Sequence, residues 1–351
     1  MKQFKWLSIS ASLLLTASLA ACGPRSQTDL PQETAPPAAT AGTTASPQAE
    51  PGGRSKLTGL PLEPDQVDRR VISVMFDNHP AARPQAGVSQ ADVMFEIKVE
   101  GTYTRYMGLF QSRDADRIGP VRSARDCFID RSLEYNAVYA HFGGSYLALN
   151  RIEQFIYPDL NGMTNAGGAM FRDDSTGKTA PHNVFTSTAK LKEAAASRDY
   201  ADTCEIPGLA SFNKEAVKPT EGAEPATNIA IQYASDNRTD YKWSEKDQAY
   251  LRYKDGVQDV DEGSENPWLA ANIIIQEAPS YIEPAPLRTV EQIGQGKGFY
   301  ISQGAVVPIT WEKNQDIAST YYFTADGQPL SLNPGQTWIQ VVDPDTPVEI
   351  N

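Results

Sequence analysis

The chain has 351 residues, 31 of them Lys or Arg and 44 Asp or Glu, for a formal net charge of -13. That acidity argues against a nucleic-acid binder, which carries a basic footprint, and against docking on an anionic membrane through surface charge. Three Cys are too few for a disulfide scaffold or a structural zinc cage, and no stretch after residue 21 is long and apolar enough to cross a bilayer.

Residues 1–22 read as an address. Lys2 and Lys5 give a positive start, residues 6–20 form an apolar core of signal-peptide length, and Leu19-Ala20-Ala21 precedes Cys22. A Cys directly after Leu-Ala-Ala is a bacterial lipobox. Its thiol takes a diacylglycerol and, after cleavage, Cys22 becomes the N-terminus, anchored in the membrane and facing away from the cytoplasm. Acyl chains contribute about 0.8 kcal/mol per buried methylene, so two on one cysteine hold stably. Residues 23–56 are rich in Pro, Ala, Thr, Gln and Gly and nearly free of large apolar side chains. They read as an unfolded, proline-stiffened tether.

The folded part is expected as α+β, a mixed α/β domain over 57–218 followed by a mainly β domain over 226–351. A composition shift at 216–227 (AVKPTEGAEPAT) marks the hinge. In the first half, 71–76 (VISVMF) predicts a buried strand running into the Asp77-Asn78-His79-Pro80 turn, and 92–99 and 103–111 predict two more. Gly119-Pro120 marks a turn, 125–136 a helix, and 138–142 a strand broken by Gly143-Gly144. Ser145 then caps a helix with apolar positions Leu147, Ile152, Phe155 and Ile156, and Ser187 caps a last one over 188–198. In the second half, 228–233, 241–243, 249–254, 272–277, 298–301, 305–311, 320–324 and 337–342 predict strands. Asp255-Gly256 signals a hairpin. The Gly294–Gly298 run reads as the start of a strand, since no helix signal follows it as a phosphate cradle requires.

Chemistry-bearing residues concentrate in the first half. All three His precede the hinge, and all four Trp beyond the signal segment follow it. The window 105–131 holds six Arg, no Lys and four Asp. The planar guanidinium fork matches carboxylate or phosphate, so the constellation Arg105, Arg113, Arg117, Arg122 and Arg125 suggests a local anion site, with Arg105, Arg122 and Arg125 as its candidates. The competing reading is a surface of Arg–Asp pairs between sequence neighbours. His141 ends a strand at Gly143-Gly144-Ser145, where backbone N–H groups open toward a ligand. His79 lies in Asp77-Asn78-His79-Pro80 and His182 in Ala180-Pro181-His182-Asn183, both loops at element ends. The His spacings match no metal signature, so neither metal nor cofactor is expected. No Gly-x-Ser-x-Gly elbow, Ser-x-x-Lys or Walker loop occurs. Cys127 and Cys204 either form a disulfide, which an extracytoplasmic location permits, or leave Cys127 as a buried thiol.

The run Asp77-Asn78-His79-Pro80-Ala81-Ala82-Arg83-Pro84-Gln85-Ala86-Gly87 resembles the opening of the YerB-like bacterial lipoproteins. So do Gly119-Pro120-Val121-Arg122-Ser123-Ala124-Arg125, His141-Phe142-Gly143-Gly144-Ser145, Ala180-Pro181-His182-Asn183-Val184-Phe185-Thr186 and, later, Leu332-Asn333-Pro334-Gly335-Gln336-Thr337-Trp338. The match runs in order over about residues 58–342. It implies a two-part domain on a lipoprotein and no particular activity. Asp126-Cys127 stands where that family's pattern has a Pro-aromatic pair, which implies that Cys127 is not part of a shared mechanism. The ligand-binding candidates are Asp77, Asn78, His79, Arg83, Arg105, Arg122, Arg125, His141, His182 and Asn183. They give a lipid-anchored cell-envelope binding or accessory protein with an Arg/His-lined site for an anionic ligand or an acidic segment of a partner protein. The alternative is an envelope hydrolase or transferase on a cell-wall glycan, peptide or phosphate, with His141 or His182 as acid/base and Arg122 and Arg125 as clamp. Both readings require His141, His182, Arg122 and Arg125 to converge.

Changing Cys22→Ser should leave the protein unlipidated and move it to the aqueous phase of a detergent extract. Retention in the detergent phase would refute the assignment of Cys22.

Overall fold

A computed structural model describes residues 53–283 and 287–351. The signal segment with Cys22, and the tether through residue 52, lie outside the described residues. The fold is α+β and mainly β. Its first strand, β1 (Ile72–Phe76), is followed by β2 (Val93–Lys98) and β3 (Thr104–Phe110), then α1 (Asp126–Leu133), β4 (Val138–His141) and α2 (Tyr146–Phe155). Next come β5 (Asp159–Asn161), the short pair β6 (Phe171–Arg172) and β7 (Val184–Phe185), and α3 (Thr188–Ala196). The second half supplies β8 (Asn228–Ala234), β9 (Asn237–Ser244), β10 (Ala249–Lys254), β11 (Asn272–Glu277), β12 (Gly294–Ser302) and β13 (Ala305–Lys313). It ends with β14 (Tyr321–Thr324), β15 (Thr337–Val342) and β16 (Val348–Ile350).

The main sheet has the order β14-β13-β12-β11-β15-β2-β3-β1-β4-β5, with Glu224–Pro225 paired onto β13. β15, from the far end of the chain, lies parallel to both β2 and β11, with Phe95 opposite Ile339. One sheet therefore runs through both halves of the chain. The segment expected as a hinge is partly built into it: Glu224 and Pro225 pair with Val306 and Ala305, and Ala226 is buried. The folded chain also begins before Leu57, since Arg54 bridges to Pro61 and Ser55 is buried.

Burial on both faces explains why β1 and β15 carry apolar side chains on both faces rather than alternating, interrupted by Ser73 in β1 and by Thr337 and Gln340 in β15. On one face, Phe95, Met107, Ile274 and Ile339 pack with Phe128 and Ile129 of α1 and Ala148 and Ile152 of α2. On the other, Met94, Tyr106, Ile273 and Trp338 pack with Ile229, Ile231, Tyr241 and Trp268. The second sheet, built around β10-β9-β8-β16, covers that face. The result is three layers, helices, main sheet and second sheet. Trp268, Trp311 and Trp338 are buried, so three of the four Trp pack the core.

Local signals hold up where they are strongest. Ser145 and Ser187 cap α2 and α3, accepting from the Ala148 and Lys190 amides at 3.2 Å. Asp255 and Gly256 both have positive φ, the conformation that a two-residue hairpin turn demands. Gly296 lies within β12, and a Cβ there would come 2.5 Å from the Trp311 indole nitrogen, so its lack of a side chain serves packing. Phe155 and Ile156 depart from expectation. Helix α2 stops at Phe155, Ile156 takes a left-handed conformation, and its side chain is 89% exposed. Cys127 and Cys204 are free thiols, and burial raises the Cys127 thiol well above its ordinary range.

Between the two sheets lies a buried cluster of charge. Glu96 of β2 accepts from Arg252 at 2.5 Å and from Lys254 at 2.8 Å, both on β10. Arg252 also bonds Asp259 and lies 4.3 Å from the Trp338 ring centre. The Lys254 ammonium satisfies its three donors on Glu96, Asn237 and Thr239. Two cations face two carboxylates, so the cluster is balanced. Burial alone would raise the Glu96 carboxyl, but Lys254 and Arg252 pull it down to about 2.

Glu96→Ala should cost about 3–5 kcal/mol in chemical denaturation, because Arg252 and Lys254 stay buried without their shared partner. A folded-state value below the unfolded one means that the Glu96 contribution is complete above about pH 4.5 and lost as pH falls toward 2. A loss below 1 kcal/mol would show that the cluster does not hold the sheets together.

Candidate functional site

The end of β1 gathers three loops. The segment after Gly119 runs beside it: the Asp77 amide donates to the Pro120 carbonyl at 2.9 Å and the Arg122 amide to that of Met75 at 3.0 Å. That pairing sets Arg122 next to Asp77. On its other side, the Val121 amide donates to the Val184 carbonyl at 2.6 Å, which brings the His182 loop to the same edge. His79 caps the short turn Pro80–Ala82, with its Nδ1 accepting from the Ala81 amide at 3.1 Å.

These loops and the start of β3 enclose a cavity of about 130 Å³, lined by Asp77, His79, Tyr103, Arg105, Arg122 and His182. It has room for a single acid group, not for a whole ligand. Asp77 is the organising residue. One of its carboxylate oxygens accepts from His182 Nδ1 at 2.7 Å and forms an ion pair with Arg122 Nε at 3.2 Å, and the other accepts from the His79 amide at 3.0 Å. With Nδ1 donating to Asp77, a neutral His182 keeps its Nε2 lone pair free. With Nδ1 accepting, a neutral His79 carries its proton on Nε2. The two imidazoles stack at 4.4 Å, and Tyr103 tilts against His79 at 5.1 Å. Burial, then the neighbouring His182 charge, holds His79 below its ordinary value against the pull of Asp77.

The opposite side is cationic. Arg105 is largely buried and donates to the Ser123 carbonyl at 2.6 Å. Its burial and the Arg125 charge push it down to about 10. Burial would raise Glu100, but the bond and charge of Arg125, with Arg105 beyond, keep it below the usual carboxylate range. Among the described residues, the one ion-pair partner of Arg122 is Asp77, reached through Nε. Its terminal amino groups remain for a ligand. Three guanidiniums against two carboxylates leave this wall with an excess positive charge.

The sequence candidates divide accordingly. Asp77, His79, Arg105, Arg122 and His182 meet at the cavity. Arg125 stands one step behind, bonded to Glu100. Asn78 is buried and bonds Thr104, while Arg83 ties Asn78 to Asp255 of the second half at 2.6 Å. Asn183 is buried between Arg172 and Asp174. His141 does not join the site. Its side chain is fully buried, with Nδ1 on the Gly143 carbonyl at 2.7 Å and Nε2 on Asp159 at 3.1 Å, so both nitrogens are engaged in holding the β4–β5 corner. The expected convergence of four residues is thus met by Arg122 and His182 alone. Tyr103 is not among the sequence candidates for the site, and Glu100, on a strand face with Glu96, reads from the sequence as a strand end rather than half of a carboxylate pair. Their signal is positional: both belong to the turn just before Arg105. Four larger cavities, of about 290, 330, 420 and 780 Å³, contain none of the candidates. The arginines of the 420 Å³ one are already partnered, Arg69 by Asp65 and Asp114 and Arg70 by Asn136.

Residues 57–201 match the N-terminal domain, and residues 229–339 the C-terminal domain, of a family described as protein of unknown function DUF3048. The chain belongs to this YerB-like family. It is 33% identical over 293 residues to the putative lipoprotein YerB of Bacillus subtilis (strain 168), covering 82% of this chain and 86% of the relative. The crystal structure of YerB from Bacillus subtilis superposes with a TM-score of 0.76 at 31% identity, over 84% of this chain and 99% of that one.

His141→Ala should lower stability by about 1–3 kcal/mol in chemical denaturation, through lost bonds at a buried position. Unaltered stability would show that these bonds do not hold the β4–β5 corner.

Proposed function

We propose that this protein is a lipid-anchored extracytoplasmic protein of the cell envelope that binds an anionic group in the cavity between Arg105, Arg122 and the His79–His182 pair. The lipobox at Cys22 and the name of the Bacillus relative support the anchor and the location. The observation that carries the binding reading is Arg122: it pairs with Asp77 through Nε, its terminal amino groups have no partner among the described residues, and it lines a cavity sized for one acid group. A preorganised fork of this kind suits a carboxylate or a phosphate.

A second reading, an envelope hydrolase or transferase, draws support from the Asp77–His182 pair. A carboxylate that holds Nδ1 presents Nε2 as an acid/base. No Ser or Cys lines the cavity among the described residues, and the Thr104 hydroxyl is already bonded to Glu96 and Asn78. Binding is therefore the better-supported reading.

Arg122→Lys keeps the charge and loses the fork. It should weaken calorimetric binding of phosphate or acetate about tenfold, with the melting temperature shifted by less than about 2–4 °C, the equivalent of about 1 kcal/mol. A wild type that binds neither anion, or a variant that binds as well as wild type, would remove the anion site. A large fall in melting temperature would place Arg122 in the scaffold.

A further inference from the structure

The cavity rim has features that an acid group alone leaves unused. Tyr103, His79 and His182 form a continuous row of rings along the wall. Tyr103 is 43% exposed, yet its turn is held from several sides. The Val99 amide donates to the Tyr103 carbonyl at 2.9 Å, the Asn237 side chain donates to the Thr102 carbonyl at 2.6 Å, and the Thr102 hydroxyl reaches Asp236 at 3.2 Å. An aromatic ring kept in water on a braced turn is a prepared contact surface, since its position costs no further ordering when a ligand arrives.

The polar groups along the row are mixed in kind. His79 Nε2 carries a free N–H and, in neutral His182, Nε2 keeps a free lone pair. A hydroxyl both donates and accepts, so a ligand rich in hydroxyls can pair with both. An aromatic or aliphatic acid would leave the His182 acceptor unpaired, at the cost that unmet polar groups carry. A pyranose ring adds an apolar C–H face of a size that one exposed tyrosine covers.

Resting on the anion-binding reading above, we propose that the ligand is a sugar acid: a pyranose whose carboxylate or phosphate enters the cavity at Arg122 and Arg105, whose ring lies on Tyr103, and whose hydroxyls meet His79 and His182. The full-length lipoprotein in detergent is titrated calorimetrically with N-acetylmuramic acid and glucose 6-phosphate as sugar acids. N-acetylglucosamine serves as the neutral sugar, and lactate and inorganic phosphate as the acids without a ring. At least one sugar acid should bind ten times or more tighter than its ring-free acid and than the neutral sugar, and which of the two does so identifies the acid group. Tyr103→Ala should bring that sugar acid down to the affinity of its ring-free acid while leaving the latter unchanged. If the ring-free acids bind as tightly as the sugar acids, the sugar inference fails and the anion site stands. If no acid binds, both fail. If Tyr103→Ala weakens lactate or phosphate equally, Tyr103 shapes the cavity, and the ring contact is wrong.

Discussion

The buried ion cluster of Glu96, Arg252, Lys254 and Asp259 is the constraint on which the architecture turns. Ions removed from water are tolerated only when each is met by a partner of opposite charge and by enough hydrogen bonds. Glu96 comes from the first half, and its partners come from β10, more than 150 residues further on. A slip of one residue in either sheet would send one partner to the wrong face and leave the other charges stranded. Apolar packing between the sheets has no such directional demand. The cluster therefore selects one register out of several that the hydrophobic surfaces would accept.

The same cluster reaches the cavity. Thr104 donates its hydroxyl proton to Glu96 at 2.7 Å and accepts from Asn78 at 2.7 Å, and Asn78 in turn takes Arg83, which is paired with Asp255. Thr104 and Asp77 both line the cavity, and Asn78 is the chain neighbour of Asp77. The loop that carries Asp77 and His79 is thus fastened to the second half through Asn78 and Arg83, which do not line the cavity. A site on loops gains its precision from such a backing.

The strands and capped helices were legible because their signals are local: apolar runs, Ser caps, an Asp-Gly turn. The shared sheet was not. That β15 inserts between β2 and β11 depends on pairing partners 244 residues apart on one side and 65 on the other, and nothing in the composition of Thr337–Val342 names its neighbours. The same limit explains the arginines. Sequence neighbours such as Asp116 and Arg117 invited pairing, but Arg117 turns to Asp173 and Glu262, and Asp126 takes Arg151. Arg131, the last of the crowded window, is wholly buried beneath α1 among Glu134, Gln276, Gln292 and Thr320. His141 looked open because it precedes two glycines. Its placement on β4 turns the ring inward instead. His79 and His182 sat in loops of the same type, and what separates them from His141 is Asp77, a long-range neighbour.

The cavity wall is cationic within a chain of net charge -13, and the two facts act at different ranges. At physiological ionic strength, charges further apart than about 8 Å are largely screened, so the acidic surface neither draws an anion in nor holds off a small one at a distance. Inside the cavity, Arg105 and Arg122 are partly desolvated, and their attraction for a single acid group is stronger than it would be in water. A long polyanion would place its remaining charges against the acidic exterior. A ligand with one acid group and a neutral remainder meets the favourable field alone. The distribution of charge therefore favours an isolated carboxylate or phosphate on an uncharged body, which is the pattern that the Tyr103–His79–His182 row is shaped to receive.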